Sequence, residues 1–267
     1  MNAPAPLDLS IIVPAYNEEF RLPASLERMA EYLAGCTGFY ELIVVDDGSQ
    51  DGTRRVVEEF ARAHSWARLA AYNTPATDGT PATPLNKGKG FAVRYGMLRA
   101  TGQYALFSDA DLSTPIEELE ALMAPLRSGE ADVAIASRGL PQSRLSVRQP
   151  WYRERMGRAF NSVVRYAIGT SIADTQCGFK LFRGDAARRI FGAARVDGFG
   201  FDTELLYLAA KWGYRVAEIP VTWEHRDDSR VNPLTAPLGM MRDVIGVRLN
   251  DLRGVYGSAR KASEPRA

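Results

Sequence analysis

Short apolar runs alternate with segments of helical periodicity through the first half of the chain. Four runs are typical of buried strands: Leu9–Pro14, Leu42–Val45, Ala67–Tyr72 and Tyr104–Phe107. Three segments between them have helical spacing: Leu22–Leu33, Asp51–Ala63, with Asp51 as its cap, and Lys87–Arg99. Strands that alternate with helices in this way predict a doubly wound α/β layer around a mostly parallel sheet.

The second half of the chain continues the same pattern. The predicted strands are Asp132–Ser137, Gly178–Phe182 and Val216–Trp223, and the predicted helices are Trp151–Ile168, Asp202–Trp212 and Leu238–Leu252. Asn73–Leu85 is rich in proline, threonine and glycine, which is typical of a mobile loop. Because neither a repeat nor an interdomain linker is visible, we expect one domain over residues 1–257 and a flexible tail at 258–267.

Composition limits the classes of function. The 267 residues carry a net charge of +1, which argues against nucleic acid as a partner. Two cysteines and two histidines allow neither a disulfide framework nor a Cys/His zinc site, and a reducing cytoplasm is the expected setting. Met1–Asp8 lacks the features of a signal peptide, and no window of about 18 apolar residues exists. Any membrane contact is therefore expected to be peripheral.

Two carboxylates one residue apart follow the apolar run Tyr104–Phe107. Asp109 and Asp111 should therefore lie where a buried strand ends, just before a helix that is expected to begin at Pro115. At the carboxyl end of a strand in an α/β sheet, such a pair can hold a divalent cation against a phosphate-bearing ligand. The alternative is a structural role as helix-cap or turn residues.

Two turns upstream of this pair suit a nucleotide. After the first strand, Pro14–Glu18 offers Tyr16 for stacking on a base and Glu18 for polar contacts. After the second strand, the carboxylates of Asp46 and Asp47 can accept hydrogen bonds from a base or a ribose. The alternative for both segments is an ordinary turn between a strand and a helix.

A third turn, Asn86–Gly90, opens a helix with two lysines and two glycines. Bare amides at a helix N-terminus favour phosphate, and lysines placed where the helix dipole disfavours them indicate an anionic ligand. The segment lacks the longer glycine spacing and the Lys-Ser/Thr end of a P-loop, so an ATPase is not favoured. A plain helix start is the alternative.

Together these segments resemble the family 2 glycosyltransferases of the GT-A fold. The matching motifs, in the order of that family, are Val13–Glu18, Asp46–Ser49, Lys87–Gly90 and Asp109–Asp111. Two later segments are similar to the polyprenyl-phosphate sugar transferases, and most similar to the dolichyl-phosphate β-glucosyltransferases among them: Asp174–Phe182 and Phe201–Leu205. The resemblance implies a single GT-A catalytic domain with a Rossmann-like, mixed and mostly parallel sheet flanked by helices. Its nucleotide-binding half would span about residues 9–111, and its acceptor half about 112–257.

The resemblance implies an inverting transfer from a nucleotide diphosphate sugar, with UDP-glucose as the first expectation and GDP-mannose as the alternative donor. The implied nucleotide-sugar residues are Pro14, Ala15, Tyr16, Glu18, Asp46, Asp47, Lys89, Asp109 and Ala110. Asp111, with Asp109 beside it, would hold Mg²⁺ or Mn²⁺ on the diphosphate, where the cation neutralises the charge of departing UDP. Eukaryotic members of this group carry a membrane-anchoring helix at the amino terminus, and Met1–Asp8 has no such apolar run.

The implied acceptor is a polyprenyl phosphate. Because a phosphomonoester is already ionised at neutral pH, it needs cations that position it rather than a strong base. Arg138, Arg153 and Arg155 belong to an arginine-rich stretch, and guanidinium groups match phosphate geometry, although a solvated helix face is the alternative. Asp202 would be a base for a hydroxyl acceptor of a glycolipid, a polysaccharide or a small molecule, or an orienting group beside a phosphate. The expected catalytic residues are Asp111, Arg138 and Asp202.

Further expectations concern the floor of the active site, the last helix, the location of the protein and the remaining alternative functions. Asp174 and Gln176 are expected on the floor of the active site, and Cys177 as a packed thiol. The helix Leu238–Leu252 carries arginines near an apolar stripe, which leaves interfacial membrane binding, core packing and a homodimer contact open. The expected location is the cytoplasm, or the inner face of a membrane. A nucleotidyltransferase is disfavoured because Pro14–Asn17 is not a Gly-rich, Arg-containing loop, and a non-catalytic nucleotide-sugar binding protein is the last alternative.

Overall fold

The structure is a computed structural model that describes residues 7–73, 85–145, 164–166, 168–224 and 236–257. Its strands are β1 Leu7–Ala15, β2 Gly38–Asp46, β3 Ala67–Ala71, β4 Tyr104–Ser108, β5 Val133–Ser137, β6 Arg144–Leu145, β7 Phe179–Arg183, β8 Val216–Pro220 and β9 Thr222–Trp223. Its helices are α1 Leu22–Ala34, α2 Thr53–Ala63, α3 Lys89–Met97, α4 Leu119–Arg127, α5 Gly184–Ala193, α6 Phe201–Lys211 and α7 Ala236–Leu252.

Seven strands form one mixed sheet in the order β3-β2-β1-β4-β7-β5-β8. Only β7 runs antiparallel to its neighbours, and the other pairings in this sheet are parallel. The register places Ile12 of β1 between Ile43 of β2 and Phe107 of β4. The predicted Rossmann-like, mostly parallel sheet flanked by helices is confirmed.

Helices cover both faces of the sheet. Ile11 and Val13 point to the layer that contains α1 and α4, whereas Ile12 points to the layer that contains α3, α5 and α6. Successive side chains of a strand alternate between the two faces, and here both faces are buried. This double burial explains why the strands read as continuous apolar runs rather than as alternating patterns.

The topology brings several strand ends to one edge of the sheet. Strands β1, β2, β4 and β5 run in the same direction, so Ala15, Asp46, Ser108 and Ser137 end at the same edge. Strand β7 runs the opposite way, so its first residue, Phe179, lies beside Ser108 at that edge. The motifs found in the sequence are therefore collected at the carboxyl edge of the parallel strands, where α/β sheets bind ligands.

The structure differs from the predicted elements at several places. The short strand β6 was not predicted, and the helix expected from Pro115 opens with a 3-10 turn at Ile116–Glu118 before α4 begins at Leu119. Helix α5 was not predicted, because it follows β7 without a loop and three of its five buried residues are the small Gly184, Ala186 and Ala187. The predicted strand Val216–Trp223 is wrong as a single element: Val221 separates β8, in the main sheet, from β9, which pairs with β6. Helix α2 begins at Thr53 with Gly52 as its N-cap residue, although Asp51 still accepts the Thr53 N–H.

Three predicted elements lie partly or wholly outside the described residues. Residues 164–166 and 168 of the predicted helix Trp151–Ile168 are helical, and residues 151–163 lie outside. The same applies to most of the Asn73–Leu85 loop and to the tail at 258–267. Within the part of the chain that the structure describes, no helix is both long enough and apolar enough to span a bilayer.

Candidate active site

The first carboxylate after β4 is held between a lysine and a glycine. Asp109 Oδ1 lies 2.7 Å from Lys89 Nζ, at the start of α3. The Asp109 N–H donates to the carbonyl oxygen of Gly178 at 2.9 Å. A Cβ atom on Gly178 would overlap the Asp109 carboxylate, so the glycine allows that carboxylate to lie against the start of β7. Asp109 is therefore fixed and neutralised by the protein itself.

The second carboxylate is in a different environment. Asp111 Oδ1 accepts the Ser113 N–H at 3.0 Å, and Leu112 between them has a positive φ of 48°, so the three residues form a tight turn. The side chain is partly exposed, and among the described residues no lysine or arginine forms a salt bridge with it. Asp111 is therefore the carboxylate of the pair that remains open to an added cation.

The donor set at this turn fits a divalent metal that is shared with a phosphate ligand. Within residues 7–73, 85–145, 164–166, 168–224 and 236–257, no three His, Cys, Asp or Glu side chains group as a metal cage. Mg²⁺ and Mn²⁺ accept oxygen ligands, and Mg²⁺ is commonly held by one or two carboxylates together with substrate phosphates. Asp111, with Asp109 beside it, offers that number of carboxylates.

A fully buried lysine lies beneath the site. Lys180 of β7 has no solvent exposure, and its Nζ lies 2.5 Å from Asp202 Oδ1 and 2.5 Å from the carbonyl oxygen of Cys177. Burial raises the pKa of Asp202, and the charges of Lys180 and Lys89 oppose that rise. Both lysines also lie near the ring of Phe107, with Nζ-to-centroid distances of 5.6 Å for Lys89 and 6.0 Å for Lys180. Two lysine–aspartate pairs therefore flank one buried aromatic ring.

The two aspartates at the end of β2 are engaged by protein donors. Asp46 Oδ2 lies 2.5 Å from Arg54 Nε, and its Oδ1 accepts the Ser49 N–H at 3.0 Å. Asp47 accepts the backbone N–H groups of residues 87 and 88 at 2.8 and 3.0 Å, and also the hydroxyl of Tyr72. Both carboxylates reach the predicted edge, but they brace its turns, and their direct contact with a base stays a prediction.

The turn after β1 is tied to the turn after β2. The Asn17 N–H donates to Ser49 Oγ at 2.9 Å, and the Glu18 N–H donates to Thr53 Oγ1 at 2.7 Å. The Glu18 carboxylate pairs with Arg21 at 2.5 Å, whereas the Tyr16 side chain is 39% exposed. Tyr16 is therefore partly exposed at the edge, and its stacking on a base stays a prediction.

The glycine-rich start of α3 is shaped by packing as well as by charge. Gly88 has a φ of 99°, and a Cβ atom on it would lie 2.5 Å from the backbone oxygen of Asp197. The Lys87 ammonium lies 4.4 Å from the centroid of Phe91, whereas Lys89 points at Asp109. Of the two lysines in this motif, Lys89 is thus the one that faces the carboxylate pair.

Arg138, which follows β5, is paired with Asp174. Its Nε and Nη2 donate to the two oxygens of that carboxylate at 2.7 and 3.0 Å, and its backbone N–H donates to Oδ2 at 3.0 Å. Burial alone would raise the pKa of Asp174, but the charge and hydrogen bonds of Arg138 lower it to about 2. If Arg138 binds a phosphate, as predicted, it would do so with the N–H groups that do not bond to Asp174. Arg153 and Arg155 lie outside the described residues.

The remaining predicted floor residues lie next to these pairs. The Gln176 Nε2 donates to Thr203 Oγ1 at 3.4 Å, one residue after Asp202. Cys177 is buried, and burial raises the pKa of its thiol to about 11, so it is the packed thiol that was predicted. Lys180 was not among the predicted site residues, although a lysine inside the apolar run Phe179–Phe182 is a signal that the sequence contains.

Comparison with known proteins identifies the family. A family model described as "Glycosyl transferase family 2" matches residues 10–191. The dolichyl-phosphate beta-glucosyltransferase of Drosophila melanogaster is 36% identical over 260 residues, which cover 94% of this chain and 77% of that protein. Proteins of the same name are similar too. That of Dictyostelium discoideum is 33% identical, with 93% of this chain and 76% of the relative covered. The protein of Homo sapiens is 32% identical, and the match covers 93% of this chain and 77% of the human protein.

Solved structures support the fold independently. The glucosyl-3-phosphoglycerate synthase of M. tuberculosis superposes with a TM-score of 0.62 at 20% identity, covering 94% of this chain and 82% of that one. A structure of the same enzyme with Mn²⁺, UDP-glucose and glycerol 3-phosphate gives a TM-score of 0.63 at 20% identity, covering 91% and 79%. These neighbours share the GT-A architecture. The family model matches residues 10–191, and relatives that are 32–36% identical are covered to 76–77% of their length, so this chain belongs to glycosyl transferase family 2.

Proposed function

We propose that this protein transfers glucose from UDP-glucose to a polyprenyl phosphate. The observation that carries the proposal is the unequal pair of carboxylates after β4. Asp109 is neutralised by Lys89 at 2.7 Å, whereas Asp111 has no salt-bridge partner among the described residues. This division suits one carboxylate that faces the donor sugar and one that faces a metal on the diphosphate. The names of the relatives supply the sugar and the class of acceptor.

The donor would occupy the carboxyl edge of the sheet. Tyr16, which is partly exposed, would stack on the base, and the turns braced by Asp46 and Asp47 would contact the nucleotide. When bound, Mg²⁺ or Mn²⁺ would neutralise the charge that develops on departing UDP. Asp111 would hold that ion, Asp109 would orient the sugar, and Lys89 would keep Asp109 in place.

The acceptor would need positioning rather than deprotonation. A phosphomonoester with a second pKa of about 6 is mostly dianionic at neutral pH, so it can attack without a strong base. Asp202 is buried and paired with Lys180 at 2.5 Å, an arrangement suited to fixing the active-site floor. We therefore assign Asp202 an orienting role. A hydroxyl acceptor would instead require a carboxylate that can take a proton.

Arginines would position the acceptor phosphate. Arg138 lies at the edge in a bidentate pair with Asp174, which fixes the guanidinium in one orientation. Its planar fork would present the remaining N–H groups to the phosphate, with Arg153 and Arg155 as further candidates. Because such an acceptor resides in a membrane, we place the reaction at the cytoplasmic face of a membrane, with this chain as a peripheral protein.

Binding measurements test the donor assignment. Ligands that bind the folded state raise its melting temperature, so thermal shifts rank donors directly. We expect UDP-glucose with Mg²⁺ or Mn²⁺ to give the largest shift, and the same metals to add little in the absence of nucleotide. A larger shift with GDP-mannose than with UDP-glucose would overturn the donor assignment.

A further inference from the structure

Helix α7 carries apolar side chains on two different faces. Val244 and Val247 are buried against the rest of the domain. Ile245, Leu249 and Leu252 are spaced i, i+4 and i+7, so they share another face, and they are 55%, 43% and 84% exposed. A helix of a globular domain needs one apolar face for its core, so the exposed stripe requires a different explanation.

The charges of α7 are sorted between the same two faces. Its carboxylates point inward: Asp243 Oδ2 accepts the Gly200 N–H at 3.1 Å, and Asp251 pairs with Lys211 at 2.5 Å. The arginines beside the apolar stripe are exposed, and they are Arg242, Arg248 and Arg253. The outward face therefore combines aliphatic side chains with three exposed arginines. The two carboxylates of α7 lie on its inner side, where Asp243 interacts with Arg242 and Asp251 with Arg248, so they offset only part of that positive charge.

We propose that the outward face of α7, defined by Ile245, Leu249 and Leu252 with the flanking arginines, docks on the surface of an anionic lipid membrane. An apolar stripe bordered by cations matches an interface at which acyl chains lie beneath negatively charged headgroups. A second copy of the chain fits less well. In a two-fold contact through this stripe, the arginines of one copy would lie near those of the other, whereas the α7 carboxylates Asp243 and Asp251 are bonded on the inner side of the helix.

The docking face is joined to the candidate active site by direct packing. Gly200 is the N-cap residue of α6, and Asp202 lies in the first turn of that helix. A Cβ atom on Gly200 would overlap the Asp243 side chain, so α7 rests on the start of α6. The adjoining Phe199 is 44% exposed. Docking through α7 would hold the Asp202 end of the site near the membrane. The link to a lipid acceptor rests on the proposed function.

Vesicle binding tests the proposal without reference to catalysis. The full chain is mixed with phosphatidylcholine vesicles, with and without about a third of phosphatidylglycerol, and the bound fraction is measured by flotation. We expect binding to the anionic vesicles that weakens as salt is raised, since salt screens surface charges. The triple variant Ile245→Ser/Leu249→Ser/Leu252→Ser should lower the partition coefficient at least about tenfold. The variant Arg242→Glu/Arg253→Glu should abolish the preference for anionic vesicles.

A matched control replaces exposed apolar residues elsewhere. Phe39 is 50% exposed and Leu98 is 44% exposed, and neither belongs to α7. The variant Phe39→Ser/Leu98→Ser should bind vesicles like the unmodified protein, and melting temperatures verify that all variants fold. Equal binding by the triple variant and the unmodified protein would overturn the proposal. The proposal would also be overturned if the unmodified protein were a dimer, the triple variant were a monomer and neither bound vesicles. In that case a second copy of the chain would cover the outward face of α7.

A detergent assay separates this proposal from the proposed function. With a polyprenyl phosphate dissolved in detergent, the triple variant should transfer glucose at the rate of the unmodified protein. If the protein binds anionic vesicles but transfers no glucose, the docking proposal is supported and the proposed function is overturned. If the protein transfers glucose in detergent but does not bind anionic vesicles, the proposed function is supported and the docking proposal is overturned.

Discussion

The Nζ atom of Lys180 lies 2.5 Å from Oδ1 of Asp202, and neither residue is more than 3% exposed. The pair joins the antiparallel strand β7 to the first turn of α6, so it connects two elements of the candidate active site. A buried ion pair is costly to break from one side, because the remaining charge is left without a partner in a medium of low dielectric constant. We regard Lys180 as a positioning residue for Asp202.

Lys180→Met should destabilise the protein by about 3–5 kcal/mol, since it leaves Asp202 buried and unpaired. The double variant Lys180→Met/Asp202→Asn should recover much of that stability, because it removes the orphaned charge, yet its kcat should stay low. Urea unfolding and single-turnover transfer measure the two effects separately. A double variant that recovers activity together with stability would show that the pair serves folding alone. Lys211→Met, which breaks a more exposed pair with Asp251, is the control.

Asp111→Asn and Asp109→Asn should act differently on nucleotide affinity. If Asp111 holds the metal, its replacement should remove the gain in UDP affinity that Mn²⁺ provides, a loss of about tenfold or more. Asp109→Asn should retain most of that gain while lowering kcat, because Lys89 loses its partner 2.7 Å away. Calorimetric titration with UDP, with and without Mn²⁺, measures both. The opposite assignment would follow if the metal effect vanished only in the Asp109 variant.

Gly178→Ala should damage the site more than the fold. A Cβ atom at this position overlaps the Asp109 carboxylate, so the side chain would be pushed away from its place beside Lys89. We expect at least about a tenfold loss of kcat/KM, as for other displaced active-site groups. Gly192→Ala on α5 is the matched control, because nothing lies within 4 Å of a Cβ atom there. Steady-state kinetics measure kcat/KM of both variants. Equal losses of kcat/KM in the two variants would exclude a specific role for Gly178.

Asp174 should make folding stability depend on acidity. Burial alone would raise its pKa, but Arg138 lowers it to about 2, below the ordinary value of 3.8. Its ionised form therefore stabilises the folded protein above about pH 4, and that contribution is lost as the pH falls towards 2. The stability difference between the unmodified protein and Asp174→Asn should thus shrink by about 2 kcal/mol between pH 5 and pH 2. Urea unfolding across this range measures it, and a constant difference would contradict the pairing.

The sequence predicted the sheet well because its strands are buried on both faces. Ile11, Ile12 and Val13 form an uninterrupted apolar run that only a central strand of a covered sheet accommodates. Helix α5 was missed because its core contacts come largely from small residues, such as Ala186 and Ala187, which carry little periodic signal. The break at Val221 depends on which neighbour each half of the segment pairs with, and such long-range pairing is not encoded in local periodicity.

The motifs of the candidate site were located from sequence, but their partners were not. Asp46 and Asp47 were expected where the second strand ends, and the structure places them there, at the carboxyl edge of the parallel strands. Their bonds to Arg54 and Tyr72 join residues 8 and 25 positions apart, contacts that depend on the folded turns. The pairing of Arg138 with Asp174, 36 residues away, was likewise invisible in the sequence. Residue type and strand position therefore predict where chemistry occurs, whereas side-chain pairing requires the fold.

Product analysis tests the central claim most directly. The purified chain is incubated with labelled UDP-glucose, Mg²⁺ and a polyprenyl phosphate in detergent, and the organic phase is assayed for labelled lipid. We predict lipid-linked glucose whose formation requires the metal, stops in the Asp111→Asn variant and does not occur when a polyprenol replaces its phosphate. Absence of labelled lipid from a protein that binds UDP-glucose, or equal transfer to the polyprenol, would contradict the account.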